Sequence, residues 1–239
     1  MAPHSATSAS TRAPMGHASA APPRTSFGVP PGSPEQPAAP AGEAPVAMGR
    51  LVFGMVGFGL LFLHSLLAIL GVVSIEPTPA FVLVEVSALA LVAAGFTGLR
   101  SAAAYVAAAA HAATALLLSG GLLLLSTFDS LTKLQVYVIA LSGFGAFAAA
   151  SSGAACLANA HKLGALRIPA ALPWLALTVV FVRSARVAVL SLLGSPDLPS
   201  AEDAAAWRTL YLGSVLCASI ATGLLLFVAN VRAREPRSP

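Results

Sequence analysis

Residues 51–75 read LVFGMVGFGLLFLHSLLAILGVVSI, an unbroken apolar run without Lys, Arg, Asp or Glu. A helix that crosses the hydrocarbon core of a bilayer needs about 20 residues of this kind. Further along, apolar runs alternate with short polar breaks to the end of the chain. This pattern predicts six spanning helices, over residues 51–75, 79–99, 102–127, 134–160, 168–194 and 204–231.

The composition of the chain agrees with a membrane location. Of its 239 residues, 57% are apolar and 9% are charged, and the mean hydropathy is +0.83. A soluble domain has about a quarter of its residues charged, so this chain cannot cover a water-facing surface of its size. We therefore predict an all-α, polytopic membrane bundle that contacts the lipid bilayer. Nucleic acid is not an expected partner, because the 13 basic residues are scattered and form no stripe along which a phosphate backbone could bind.

The two ends of the chain differ from this core in composition. Residues 1–47 hold ten of the 18 prolines and lack any apolar run or period, which predicts a disordered cytoplasmic tail. The first 34 residues contain no acid and combine Ser and Ala with Arg, so an organellar transit peptide stays an alternative. The predicted domains are this tail, a six-helix bundle over residues 48–232, and a short basic cytoplasmic tail over residues 233–239.

The basic residues predict the orientation of the chain, because short loops rich in Lys and Arg stay on the cytoplasmic side of a membrane. With the N-terminus inside, the outer side receives only Lys133 and Arg208. The cytoplasmic side receives nine basic residues: Arg12, Arg24, Arg50, Arg100, Lys162, Arg167, Arg232, Arg234 and Arg237. This bias predicts that both termini are cytoplasmic, in a plasma membrane or a bacterial inner membrane.

Five ionisable residues fall within the predicted spans at similar depths: His64, Glu85, His111, Arg183 and Arg186. Such residues are costly in lipid, so they normally face the interior of a bundle and pair with one another. We expect an ion pair between Glu85 and either Arg183 or Arg186, which lie three residues apart on one helix face. Whether this pair fixes the register of the helices or forms a substrate or proton path stays open.

The two histidines allow two interpretations. Since they lie on different helices at nearby depths, His64 and His111 have the positions to bind one haem b from opposite faces. Alternatively, each is a neutral polar residue hydrogen-bonded across helices, with Glu85 close to His64. No other metal site is predicted, because one acid and two separated histidines do not form a cluster of ligands.

Small residues at four-residue spacing predict close contact between helices. Faces of this kind let two helix backbones approach without a large side chain between them. One such face lies on the third span and another on the fourth, and we predict that both are packing surfaces: Ala104, Ala108 and Ala112, and Gly145, Ala149 and Gly153.

Familiar catalytic constellations are incomplete in the spans. The pair Ser152 and Gly153 on the fourth span resembles the nucleophile position of the rhomboid proteases, but the sixth span contains no histidine to act as the base. An aspartyl dyad is excluded because no Asp lies within a predicted span. An enzyme is therefore not expected, although an unfamiliar site stays open.

These observations favour a non-enzymatic membrane protein, for which three hypotheses remain. The first is an accessory or structural subunit that is held in register by the Glu–Arg pair and contacts other membrane subunits. The second is a transporter or channel for a small solute or ion that uses the five ionisable residues. The third is an electron-transfer protein that holds haem b between His64 and His111.

Overall fold

The computed structural model describes residues 47–73, 78–124, 131–195 and 198–234. Within these ranges the chain forms helices joined by turns and contains no strand. Six of the helices are long and apolar enough to span a membrane, which confirms the predicted all-α membrane bundle of an integral, multi-pass membrane protein. The N-terminal tail predicted to be disordered lies outside the described residues apart from Ala47.

The helices begin and end close to the predicted boundaries. A short helix, α5 (Ala160–Leu163), and a 3-10 turn over Gly164–Leu166 connect the fourth long helix to the next. The six long helices are α1 (Met48–Ile69), α2 (Pro79–Gly98), α3 (Ala102–Leu124), α4 (Leu131–Ala158), α6 (Arg167–Leu192) and α7 (Ala201–Arg234).

Side-chain caps are found at the starts of three of these helices, α2, α3 and α7. Thr78 Oγ1 accepts a hydrogen bond from Phe81 N at 3.2 Å, directly before Pro79 in the first turn of α2. At the start of α7, Ser200 Oγ accepts from Asp203 N at 3.1 Å, and Asp203 Oδ2 accepts from Ser200 N at 3.3 Å. This reciprocal cap explains why α7 begins before the apolar run that predicted it.

The six long helices form a closed ring. Each packs against two others, in the order α1, α2, α3, α4, α6, α7 and back to α1. The main neighbours of α2 are thus α1 and α3, whereas those of α6 are α4 and α7. This order decides which side chains can meet inside the bundle.

The closest helix contact joins α1 to α2 through glycines. A Cβ atom placed on Gly54 would lie 2.5 Å from Gly95 Cα, and one placed on Gly57 would lie 2.8 Å from Leu91 Cβ. Any side chain at these positions would push the two backbones apart. The α1–α2 contact therefore depends on glycine in the same way that small-residue contacts in membranes generally do.

The small residues predicted on the fourth span lie between α4 and α6. Gly145, Ala149 and Gly153 are all buried. A Cβ atom on Gly145 would lie 2.8 Å from the Phe181 ring, and one on Gly153 would lie 3.4 Å from Trp174 Cβ. Bulkier residues on this face of α4 would displace the rings of α6.

On α3 the structure corrects one member of the predicted face. Ala104 and Ala108 are buried, but Ala112 is exposed and His111 and Ala115 continue the buried face instead. The reason is geometric, because a four-residue step rotates the side chain by about 40° around the helix axis. On α3 this rotation carries Ala112 out of the packed face, whereas the wider contact between α4 and α6 keeps all three small residues of α4 buried.

Basic side chains join several helices at one end of the ring, which we name the basic end. Arg50 donates to Thr97 Oγ1 at 3.4 Å, Lys162 Nζ donates to Leu99 O at 2.6 Å, and Arg232 donates to Lys162 O at 3.3 Å. These contacts gather residues that the positive-inside rule assigns to one membrane face. Which side of the membrane that face adjoins stays a prediction.

Candidate functional site

A cavity of about 210 Å³ lies inside the ring, and all six long helices line it. We name it the chamber. Most of its wall is apolar, including Leu61 of α1, Leu89 of α2 and Leu177 of α6. Side chains with polar atoms line it from four helices: Glu85, His111, Thr114, Trp174, Tyr211 and Ser219. A mostly apolar cavity with a few convergent polar groups is typical of a small-molecule site.

An aromatic cluster closes the chamber toward the basic end. The Phe96 ring stacks on the His111 ring, with 5.7 Å between centroids and 7° between planes. Phe58 packs edge-on against Phe96 at 6.2 Å and against Trp174 at 6.0 Å. Trp174 Nε1 donates to Thr222 Oγ1 at 2.9 Å, which fixes the indole ring. The chamber therefore occupies the half of the ring that is remote from the basic end.

One ion pair borders the chamber. His64 Nδ1 lies 2.5 Å from Glu85 Oε1, and the two side chains are 11% and 15% exposed. The pair joins α1 to α2. Each of its residues lies about six residues, or roughly 9 Å along the axis, from the helix end that is remote from the basic end. Because Glu85 lines the chamber, its carboxylate is available both to His64 and to any molecule inside.

The predicted pairing of Glu85 with an arginine is wrong. Glu85 pairs with His64, and Arg183 instead places its guanidinium carbon 4.2 Å from the centroid of the Trp207 ring. Arg186 is exposed on α6. The ring order explains the difference, because α2 and α6 are not among each other's main neighbours, whereas α1 packs directly against α2.

His111 has one partner and one unpartnered nitrogen. Its Nε2 lies 2.8 Å from Ser152 Oγ, and Ser152 gives its hydroxyl hydrogen to Ala148 O at 2.7 Å. With the hydroxyl hydrogen directed to Ala148 O, we assign His111 Nε2–H as the donor to Ser152, and this assignment leaves Nδ1 as an acceptor. His111 is 4% exposed, and Nδ1 has no hydrogen-bond partner among the described residues.

The remaining hydroxyls of the chamber also present mainly acceptors. Thr114 Oγ1 donates to Ala110 O at 2.9 Å, and Ser219 Oγ donates to Val215 O at 2.7 Å. Since each hydroxyl has a single hydrogen, the oxygens keep only lone pairs for a ligand. The Tyr211 hydroxyl has both a donor and an acceptor to offer.

Sequence reasoning missed the contact between Ser152 and His111. The base expected for Ser152 was a histidine on the sixth span. The histidine in contact with it is His111 of α3, which packs against α4. A serine–histidine contact is one part of a nucleophilic site. Here Ser152 is fully buried and is not among the described residues that line the chamber.

Metal and haem binding depend on which potential ligands the fold brings together. Among the described residues, no three His, Cys, Asp or Glu side chains come together as a group that would hold a metal ion. His64 is bonded to Glu85 and packs against Phe81, whereas His111 is bonded to Ser152 and stacks on Phe96. Haem b between the two histidines stays a prediction, which a Soret band in the purified protein would test.

Comparison with protein families, with curated proteins and with solved structures found no match to this chain. The chemistry of the chamber is therefore the basis on which a function can be argued.

Proposed function

We propose that this membrane protein transports a small organic cation through the chamber, in exchange for protons, with Glu85 as the binding carboxylate. The observation that carries the proposal is the position of the His64–Glu85 pair at the wall of a cavity enclosed by all six long helices. Ionisable residues at membrane depth commonly mark ion and substrate paths. A pair that served packing alone would need no cavity beside it.

The polar groups of the chamber favour a cation that carries hydrogen-bond donors. Glu85 supplies a negative charge, and Thr114, Ser219 and His111 Nδ1 supply acceptors. No Lys or Arg is among the described residues that line the chamber. Aromatic side chains also face the chamber, and the partial negative charge on the face of an aromatic ring attracts cations.

The volume of the chamber limits the size of the solute. An engineered apolar cavity of about 150 Å³ binds benzene in another protein. The chamber, at about 210 Å³, has room for one aromatic ring with a short cationic group. Arylalkyl amines and aryl guanidines fit this description.

Exchange for protons follows from the charges around Glu85. One carboxylate cannot neutralise both a protonated His64 and a cationic solute, and an uncompensated charge at this depth is costly. Binding of the solute therefore favours release of the proton, and protonation of the pair favours release of the solute. With the basic end in the cytoplasm, as the positive-inside rule predicts, the chamber would lie closer to the outer face.

Uptake of radiolabelled phenylguanidinium into proteoliposomes with an acidic interior tests this function. We expect uptake above that of protein-free liposomes, and its loss when a protonophore removes the pH gradient. Glu85→Gln should lower uptake about 10- to 150-fold, because a hydrogen bond to a charged group contributes about 1.5–3 kcal/mol.

Glu202→Gln is the matched control, because it makes the same chemical change at an exposed position in the first turn of α7. Its uptake should equal that of the wild type. A folded Glu85→Gln protein that transports at the wild-type rate, or a wild type no faster than empty liposomes, would contradict the proposal.

A second candidate function, an accessory subunit of a membrane complex, is favoured by a different observation. Arg186 is exposed on the surface of α6. It lies about six residues from Leu192 and therefore roughly 9 Å from the end of that helix. An arginine at such a position either reaches toward the lipid headgroups or pairs with an acid of a neighbouring subunit. Co-purification of a partner that Arg186→Ala abolishes would support this role.

A further inference from the structure

A second cavity opens between α4, α6 and α7, toward the end of the ring that is remote from the basic end. Its volume is about 700 Å³, so it is larger than the chamber. We name it the arginine cleft, because Arg183 and Arg208 both line it. Leu141, Phe181 and Tyr211 line both cavities and so form the wall between them.

The charge of the cleft is unbalanced. Among the described residues that line it there are two arginines and no Asp or Glu. No described carboxylate lies within ion-pair distance of either arginine, and the nearby Asp203 is held by the Ser200 hydroxyl at 2.9 Å. The cleft therefore presents two positive groups that the described protein does not neutralise.

The depth of Arg183 makes this imbalance significant. Arg183 lies nine residues before Leu192, the last residue of α6, which is about 14 Å along the helix axis. A guanidinium at that depth normally pairs with an anion or reaches water through an opening. Arg183 instead packs over the Trp207 ring, which holds it at the wall of the cleft but contributes no negative charge.

The rest of the lining suits a hydrocarbon chain. Val138 of α4 and Val180 and Val187 of α6 add apolar surface to the wall of the cleft beside the arginines. Near the rim, Gln135 Nε2 donates to Ser191 Oγ at 2.6 Å, which adds a polar edge. A ligand that matches both parts has an anionic headgroup and an apolar tail.

We propose that the arginine cleft binds an anionic phospholipid from the surrounding leaflet, with its phosphate between Arg183 and Arg208 and an acyl chain along α4 and α6. The planar guanidinium group of arginine is suited to phosphate because it presents paired N–H donors. The bound lipid neutralises the two arginines and fills the apolar part of the cleft. This site is separate from the transport proposed for the chamber, and neither depends on the other.

Quenching of tryptophan fluorescence by brominated lipids tests the proposal on the full chain. The protein has two tryptophans; Trp207 lines the cleft, whereas Trp174 is 4% exposed inside the ring. The protein is reconstituted in phosphatidylcholine with increasing fractions of either brominated phosphatidylglycerol or brominated phosphatidylcholine. Anionic lipid should associate roughly 30-fold more strongly than the zwitterionic lipid, as expected for two arginines that contribute about 1 kcal/mol each.

Three variants locate the preference. Arg183→Gln and Arg208→Gln should each reduce the preference for phosphatidylglycerol about fivefold. Lys133→Gln is the matched control, because it removes one positive charge from the first turn of α4, at the same end of the ring, where Lys133 is exposed and does not line the cleft, and it should leave the preference unchanged. If Arg183→Gln does not fold, Arg208→Gln gives the same comparison from α7.

Two results would overturn the proposal. One is equal quenching by the two brominated lipids in the wild type, or an equal loss of preference in Lys133→Gln, which would mean attraction by the general surface charge. The other is displacement of phosphatidylglycerol by millimolar inorganic phosphate, which would mean that the cleft binds a soluble anion instead of a lipid.

Discussion

Replacement of Gly54 by alanine is expected to destabilise the bundle, because α1 and α2 come closest at this residue. The new Cβ atom would lie 2.5 Å from Gly95 Cα and 2.7 Å from a methyl carbon of Leu226. Non-bonded carbon atoms prefer a separation of about 3.5–4.0 Å. The Leu226 methyl group can rotate away, but the Gly95 backbone cannot, so the two helices must separate by roughly 1 Å.

The expected cost can be isolated by comparison with a second glycine of α1. Overpacking of this kind lowers the free energy of unfolding by about 1–3 kcal/mol. Alanine also favours the helix over glycine by up to about 1 kcal/mol, but Gly59→Ala shares that gain. Gly59 is exposed, and a Cβ atom there meets nothing within 4 Å. The difference between the two variants should therefore be about 1–3 kcal/mol, with Gly54→Ala the less stable.

Titration with SDS in mixed micelles, followed by tryptophan fluorescence, measures both free energies of unfolding. Gly54→Ala should also reduce transport, because separation of α1 from α2 lengthens the contact between His64 and Glu85. Equal stability of Gly54→Ala and Gly59→Ala would refute the glycine contact between these helices. It would also remove the physical reason for placing His64 beside Glu85.

Two further predictions concern polar contacts inside the ring. Ser152→Ala leaves His111 Nε2 without a partner in a buried site, so the same SDS titration should show a free energy of unfolding lower by about 1–3 kcal/mol. Ser151→Ala removes no bond to His111 and should have a smaller effect. In a double-mutant cycle, His64→Leu and Glu85→Leu should show a coupling energy of about 1–3 kcal/mol, and a value near zero would argue against the pair.

The hydropathy pattern was sufficient to predict the number and type of the long helices. Spanning helices need long apolar runs, and the chain has six of them, so the all-α membrane fold follows with little ambiguity. The caps at Thr78 and Ser200 depend only on residues within three positions along the chain. Hydropathy does not determine the order of the helices around the ring, because any apolar helix face is compatible with contact to lipid or to another helix.

The errors at the site come from that missing order. The ionisable residues were placed at similar depths, but depth alone does not say which helices adjoin. Glu85 was therefore assigned to the arginines of α6, although His64 on the neighbouring α1 is its partner. The expected proximity of Glu85 to His64 is confirmed by the contact between their side chains. The contact between His111 and Ser152 was missed for the same reason, since it depends on α3 packing against α4.

The position of the chamber follows from the distribution of side-chain volume along the ring. Toward the basic end, the rings of Phe58, Phe96 and Trp174 fill the space between the helices. Toward the other end, α4 contributes Gly145 and Ala148 to the wall, and these small residues cannot reach across. A Cβ atom at Gly145 would already meet Phe181, so the α4–α6 contact tolerates no larger residue there. The residues that allow these helices to approach closely thus also leave the space beside Glu85 empty, and close packing and a solute site arise from the same feature.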